Sequence, residues 1–281
     1  MEGRYLNEGS IKAFRAFLSV EEKSEHTIEK YLRDVKAFCR FACGTIITKE
    51  LVIAYKQKLL ESDYAVRSIN SMLSSINSLL VWLGWHDCKV KALKTQQQVY
   101  RSEEKELSKA EYLRLVHTAM QNGNERLNLI LQTICGTGIR VSELEFITVE
   151  AARCGEAVVN CKGKTRSVFL VKELQKRLLR YCAKKGIVSG SIFITRSGKP
   201  ISRTNIWREM KALCSQSNVD PCKVFPHNLR HLFARVFYGM EKDIAKLADI
   251  LGHSSINTTR IYIISTGKEH RKRMEAMRLV I

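Results

Sequence analysis

This chain of 281 residues has only three prolines, and aromatic residues make up 8% of it. Scarce proline leaves few enforced helix breaks. No apolar run approaches the ~18 residues of a membrane span, so no membrane partner is expected. The opening "MEGRYLNEGS" has no apolar signal core, which predicts a cytoplasmic protein. Nine cysteines are present, but none forms a C-x2-C pair. An odd, scattered set without an export signal predicts reduced thiols packed as small apolar groups, not disulfides or a zinc site. Acid is in deficit: 28 Asp+Glu stand against 47 Lys+Arg, a net charge of +19. Such a surplus seeks a polyanion, nucleic acid before an anionic membrane. Residues 101–281 carry +15 of it.

The hydrophobic share of 45% and charged share of 27% are those of a globular protein. The length exceeds one ordinary core and predicts two domains. Helical stripes fill the first part. Ile28, Tyr31, Leu32, Val35, Phe38 and Cys39 share one face, as do Ile69, Met72, Leu73, Ile76, Leu79, Leu80 and Leu83. Shorter stripes at Ile11–Leu18 and Leu51–Leu59 complete a four-helix bundle over 1–86. The polar, aperiodic stretch 87–106 reads as a linker. A second domain then covers 107–281. It opens on a capping box, Ser108 with Glu111, and a hydrophobic staple, Leu107 with Tyr112. "EAVVNCKGKTRSVFL" (156–170) predicts a hairpin, and "SIFIT" (191–195) a third strand. The expected fold class is mainly α with a small antiparallel β-sheet in the second domain (α+β).

Several charged residues sit oddly among apolar ones. In "GTGIRVSELEFI" (136–147), Arg140 lies between Ile139 and Val141. It either pairs with Glu143 three residues on or awaits an external anion. In "PHNLRH" (226–231), His227, Arg230 and His231 share one helix face. The zinc-protease pattern needs Glu after the first histidine, and Asn228 stands there instead. Arg230 would also repel a cation, so an anion suits this face. Lys162 and Lys164 occupy the hairpin turn. "LGHSSINTTRIY" (251–262) places His253 nine residues before Tyr262. Two arginines, a lysine and three histidines make anion clamps and proton carriers. Phosphoryl transfer needs such clamps, an aligned nucleophile and a proton for the leaving oxygen. A tyrosine can be that nucleophile.

These motifs, "GTGIRVSEL", "CKGK", "HNLRH", "LGH" and "TTRIY" in that order, resemble those of the tyrosine recombinases of the phage integrase and Xer type. "HTIEKYLRDVKAFCRFA" and "SINSMLSSINSLLVWLGW" are similar to that family's core-binding helical bundle, so the resemblance covers nearly the whole chain. It implies a two-domain DNA clamp needing neither metal nor nucleotide cofactor. Arg140 and Arg230 would grip the scissile phosphate, and Tyr262 would attack it to give a 3′-phosphotyrosyl intermediate. Lys162 would protonate the leaving 5′-oxygen. His227 would accept the phenol proton, and His253 would hydrogen-bond a non-bridging oxygen. Glu143 and His231 would support them. The turn is about one residue shorter than usual in the family. Matching the Lys-Gly pair gives Lys162; counting back from the strand gives Lys164. Implied partners are double-stranded DNA, a homotetramer on two DNA sites and, in some systems, a directionality factor. The setting would be a prokaryotic nucleoid. A simple core-site recombinase, without an arm-binding domain ahead of the bundle, is expected. Its tail, with Met274, Met277, Leu279 and Val280, would pack on a neighbouring subunit. Moving a mobile element is the leading role. Chromosome-dimer resolution, a type IB topoisomerase and a non-catalytic DNA-binding protein are the alternatives.

Overall fold

The computed structural model describes residues 3–94, 105–161, 164–263, 271 and 274–277. The chain divides into two compact units, 1–97 and 98–281.

The first unit holds four helices: α1 (Glu8–Val20), α2 (Glu25–Ala42), α3 (Lys49–Leu60) and α4 (Val66–Trp82). Asn7 and Thr48 cap α1 and α3, accepting hydrogen bonds from Ser10 N and Leu51 N. The predicted stripes are the buried faces. Ile28, Leu32 and Val35 pack with Phe14, Leu18 and Leu79. Phe38, Val52, Tyr55, Ile69, Leu73, Ile76 and Leu80 form the adjoining cluster. Each such side chain contributes roughly 1.5–3 kcal/mol on burial.

The segment read as a linker begins inside this unit. Asn77 and Asn70, seven residues apart on one face of α4, each grip its backbone twice. Asn77 donates to Val90 O at 2.9 Å and accepts from Val90 N at 3.1 Å. Asn70 donates to Leu93 O at 2.9 Å and accepts from Leu93 N at 2.7 Å. Polar side chains substituting for a sheet partner leave no hydrophobic period, which is why the segment looked unstructured. Residues 95–104 lie outside the described residues.

The second unit runs α5 (Lys109–Gln121), α6 (Glu125–Thr137), a 3-10 turn (Val141–Phe146), α7 (Val149–Cys154), β1 (Glu156–Cys161) and β2 (Lys164–Phe169). Then come α8 (Lys172–Lys185), α9 (Arg203–Ala212), α10 (Cys214–Ser217), α11 (Pro226–Glu241), α12 (Ile244–Leu251) and α13 (Ile256–Ile263). The capping box at α5 forms as expected. Leu127, Ile130, Leu131 and Ile134 of α6 are wholly buried, making it the central helix.

The hairpin is present, with Glu156 opposite Phe169 and Cys161 opposite Lys164. The sheet has two strands among the described residues, so the third strand is not formed. Residues 191–195 make only isolated bridges, Ser191 to Thr148 and Ile194 to Pro200. Consecutive Ile192 and Phe193 are both buried, an arrangement without the alternation of a half-exposed strand. In the tail, Met274 and Met277 are exposed. Leu279 and Val280 lie outside the described residues.

Candidate active site

Two glycine-ended helices position the arginines of the site. Gly138 closes α6 and Gly252 closes α12, both left-handed at φ 68° and 64°. A helix end leaves backbone carbonyls without partners, at the negative pole of its dipole. Here arginines take them. Arg230 on α11 donates to Gly138 O and, at 2.7 Å, to Leu251 O. Arg166 on β2 donates through Nε to Ile250 O at 3.2 Å, and Arg140 reaches Gly252 O at 3.4 Å. Three successive carbonyls at the end of α12 thus meet three different arginines.

Arg230 is 1% exposed, and no carboxylate pairs with it among the described residues. Its buried Nε has no hydrogen-bond partner. Burial pulls its guanidinium down to about 10 and Arg140 adds to this, while Tyr262 and Glu143 oppose it. It therefore stays cationic at neutral pH. A buried charge whose direct hydrogen-bond partners are neutral, with a donor to spare, is poised for an anion. Arg230 borders a cleft of about 620 Å³ with Arg140, His227, Ser142, Arg203 and Trp207.

Among the described residues, Glu143 is the carboxylate paired with the arginines of this centre, and it is 1% exposed. It accepts from Arg140 N and Nη1, both at 2.8 Å, and from Arg166 Nη1 and Nη2 at 3.0 and 2.8 Å. Burial alone would raise its pKa. The bonds from Arg166, then from the Arg140 amide and guanidinium, outweigh burial and hold it at about 2. The intramolecular pairing expected for Arg140 is thus real, yet Arg140 still lines the cleft.

His253 follows the α12 cap. Its Nε2 lies 2.9 Å from Arg230 Nη2, and its Nδ1 2.8 Å from Thr259 Oγ1. Arginine can only donate, so Nε2 accepts and the ring proton sits on Nδ1. Burial, then the charges of Arg230, Arg140 and Arg166, push the imidazole down to about 4. The unfolded chain therefore binds this proton first, near the ordinary histidine value of 6.5. Stability from the neutral ring is complete above that value and is lost as pH falls through about 4. The melting temperature is expected to drop between pH 6.5 and 4, and His253→Asn to flatten that part of the profile. Parallel profiles for both proteins in thermal melts would contradict the assignment.

Tyr262, on α13, is 5% exposed and packs with Leu247 and Leu251. Its ring stacks on His231 at 4.1 Å, and its hydroxyl lies 3.4 Å from His227 Nε2. His227 and His231 meet edge to face at 4.7 Å, so the paired histidines frame a phenol. The stretch around Tyr262 is polar in sequence, yet the ring is docked and covered. Thr259 explains the difference: it is fully buried, bonded to His253, and fastens α13 inward.

The structure thus gathers Arg140, Glu143, His227, Arg230, His231, His253 and Tyr262. Lys162 lies outside the described residues, and Lys164 is described only as the first residue of β2. Sequence reasoning missed Arg166 and Thr259. Arg166 had a signal: it alternates in phase with Val168 and Leu170, both buried, so it is an arginine on the inward face of a strand.

A helical bundle followed by a helical unit with these groups in one cluster defines the class: enzymes that break and rejoin DNA. The chain belongs to the phage integrase family, which it matches over residues 105–269, with the family's N-terminal SAM-like domain over 11–87. It is 28% identical to the tyrosine recombinase XerA of Pyrococcus horikoshii over 98% of this chain and 95% of that one. It is 26% identical to the TnP I resolvase of Bacillus thuringiensis over 95% and 99%. Among solved structures, a lambda integrase tetramer bound to a Holliday junction shares the fold at TM-score 0.74 and 18% identity, over 93% of this chain and 78% of that one. The Tn1549 transposon integrase bound to transposon right end DNA does so at 0.73 and 15%, over 96% and 99%. No described helix is long and apolar enough to cross a membrane.

Proposed function

We propose that this chain is a site-specific recombinase that exchanges DNA strands through a 3′-phosphotyrosyl intermediate formed on Tyr262, acting on the nucleoid in a prokaryotic cytoplasm. The observation that carries this is the buried Arg230, with a spare donor and no carboxylate, beside a phenol that already touches a proton acceptor.

In this reading the scissile phosphate enters the cleft and takes donors from Arg140 and Arg230. The Tyr262 oxygen attacks phosphorus, and the phenol proton passes to His227 Nε2. The bond to the 5′-oxygen breaks, and that oxygen takes a proton from Lys162. Attack by the 5′-hydroxyl of a second strand reverses each step and regenerates the tyrosine. No external energy source is required, because one phosphoester is exchanged for another. Two rearrangements must accompany DNA binding. Tyr262 does not line the cleft, so it must be uncovered. His253 Nε2 carries no proton while it accepts from Arg230, so bonding a phosphate oxygen through it requires the other tautomer.

The two units would clamp duplex DNA, joined by a linker after residue 93, with four copies assembling on two sites. The phosphate contacts of so basic a chain make affinity fall steeply with salt. Movement of a mobile element is the proposed role, and chromosome-dimer resolution the alternative.

The test mixes purified chain with two DNA molecules carrying the sequences at which the element joins its host. Recombinant products requiring a site on both molecules are expected. Relaxation of plasmid lacking the site, with no recombinants, would instead identify a topoisomerase. Truncation after residue 266 is expected to abolish recombination and spare site binding; full recombination by the truncated chain would remove the tail's role in assembly.

A further inference from the structure

We propose that Arg166 is a positioning residue for this reaction: by saturating Glu143 it fixes the carboxylate that aims Arg140, and it leaves the charge of Arg140 available to the scissile phosphate. This rests on the reading that Arg140 grips that phosphate.

Glu143 has two oxygens, and each accepts one bond from Arg140 and one from Arg166. Without Arg166, one carboxylate would face one guanidinium, and the pair would present no net charge to an incoming phosphate. With Arg166, the trio carries a net positive charge, and its cleft-facing member is Arg140. Arg166 does not line the cleft, so it acts through Glu143. Its own position is fixed at a third point, where Nε donates to Ile250 O. Its stem fills the space above Gly252, where a Cβ would lie 2.7 Å from Arg166 Cδ. The same guanidinium therefore joins β2, the 3-10 turn behind Arg140 and the end of α12 that holds Arg230. A lysine cannot replace it, because a single ammonium cannot hold two carboxylate oxygens in a planar fork and a carbonyl as well.

One competing account stays close. Arg166 is four residues from Lys162 in the same hairpin, and it would then serve the proton donor. A 5′-bridging phosphorothiolate separates the two, because its sulfur leaves as a thiolate without needing a proton. Single-turnover cleavage of nicked DNA would be measured with the ordinary and the phosphorothiolate substrate, together with DNA affinity and thermal melting. Arg166→Ala is expected to slow cleavage of both substrates by about 100-fold, the upper range for a residue that orients a ligand-binding group. Its DNA affinity should stay within about threefold, since most contacts to duplex DNA lie elsewhere. Arg166→Lys should remain about tenfold slow while melting near the wild type, which keeps the test valid if the alanine variant does not fold. Glu143→Gln combined with Arg166→Ala should be no slower than the worse single variant, as for residues acting as one unit. Recovery of Arg166→Ala on the phosphorothiolate, additive losses in the double variant, or a wild-type rate for Arg166→Lys would each overturn the proposal. Failure of the wild type to cleave either substrate would overturn the underlying functional reading as well.

Discussion

Tyr262→Phe is expected to reduce strand cleavage by at least about 10⁴-fold, since no second group can take over a lost nucleophile. The substitution should cost little else. The ring stacked on His231 at 4.1 Å and packed against Leu247 and Leu251 is retained. Only the hydroxyl is lost, with its 3.4 Å contact to His227 Nε2 and its interaction with the Arg230 guanidinium. The change in stability should therefore stay within about 2 kcal/mol, of the order of one hydrogen bond to a charged group. Site binding should be unchanged in a gel-shift titration. A variant that binds the site yet cleaves within tenfold of the wild-type rate would place the nucleophile elsewhere.

Arg230→Lys is the second large effect. Transition-state charge on the phosphate oxygens is stabilised by donors already oriented, and loss of one such donor costs about 10²–10³ in rate. Arg230 is oriented by Gly138 O and Leu251 O, and its Nε points to no protein acceptor. An ammonium cannot satisfy two helix-end carbonyls and a phosphate together. Cleavage should fall by about 10³, while folding is largely preserved because the buried positive charge and its two carbonyls remain. Single-turnover kinetics and a thermal melt check both halves. Cleavage within tenfold of wild type would mean that Arg230 is a structural arginine bridging two helix ends.

That bridging role and the proposed catalytic one share a cause that is partly visible in the sequence. "GTG" and "LGH" were read as motifs, but their physical content is that a glycine at each helix end frees carbonyls for arginines. The helical bundle was legible because its stripes repeat at helical spacing and bury at those positions. The start of the linker was not, because Asn70 and Asn77 hold it by polar bonds that leave no hydrophobic period. Residues 191–195 misled in the opposite sense: their apolar content reflects direct packing into the core, not strand alternation. Within the site, Arg140, Glu143, His227, Arg230, His231, His253 and Tyr262 were all named in advance, and they converge. What no spacing conveys is state. Tyr262 is docked, His253 accepts from Arg230, and Glu143 is shared by two arginines. These are properties of side chains meeting from the 3-10 turn, β2 and the consecutive helices α11, α12 and α13. At the hairpin the turn lysines are conspicuous, but the inward parity of Arg166 with Val168 and Leu170 on the following strand is equally informative.

The central claim is that Tyr262 becomes covalently joined to DNA. The direct measurement is to trap the wild-type chain on nicked DNA carrying the element's terminal sequences, digest the denatured adduct with protease and nuclease, and identify the modified peptide by mass spectrometry. The account predicts a nucleotide 3′-phosphate on the peptide containing Tyr262, and no adduct with Tyr262→Phe. A nucleotide on another residue such as Tyr238, or no adduct on DNA shown to be bound, would contradict it.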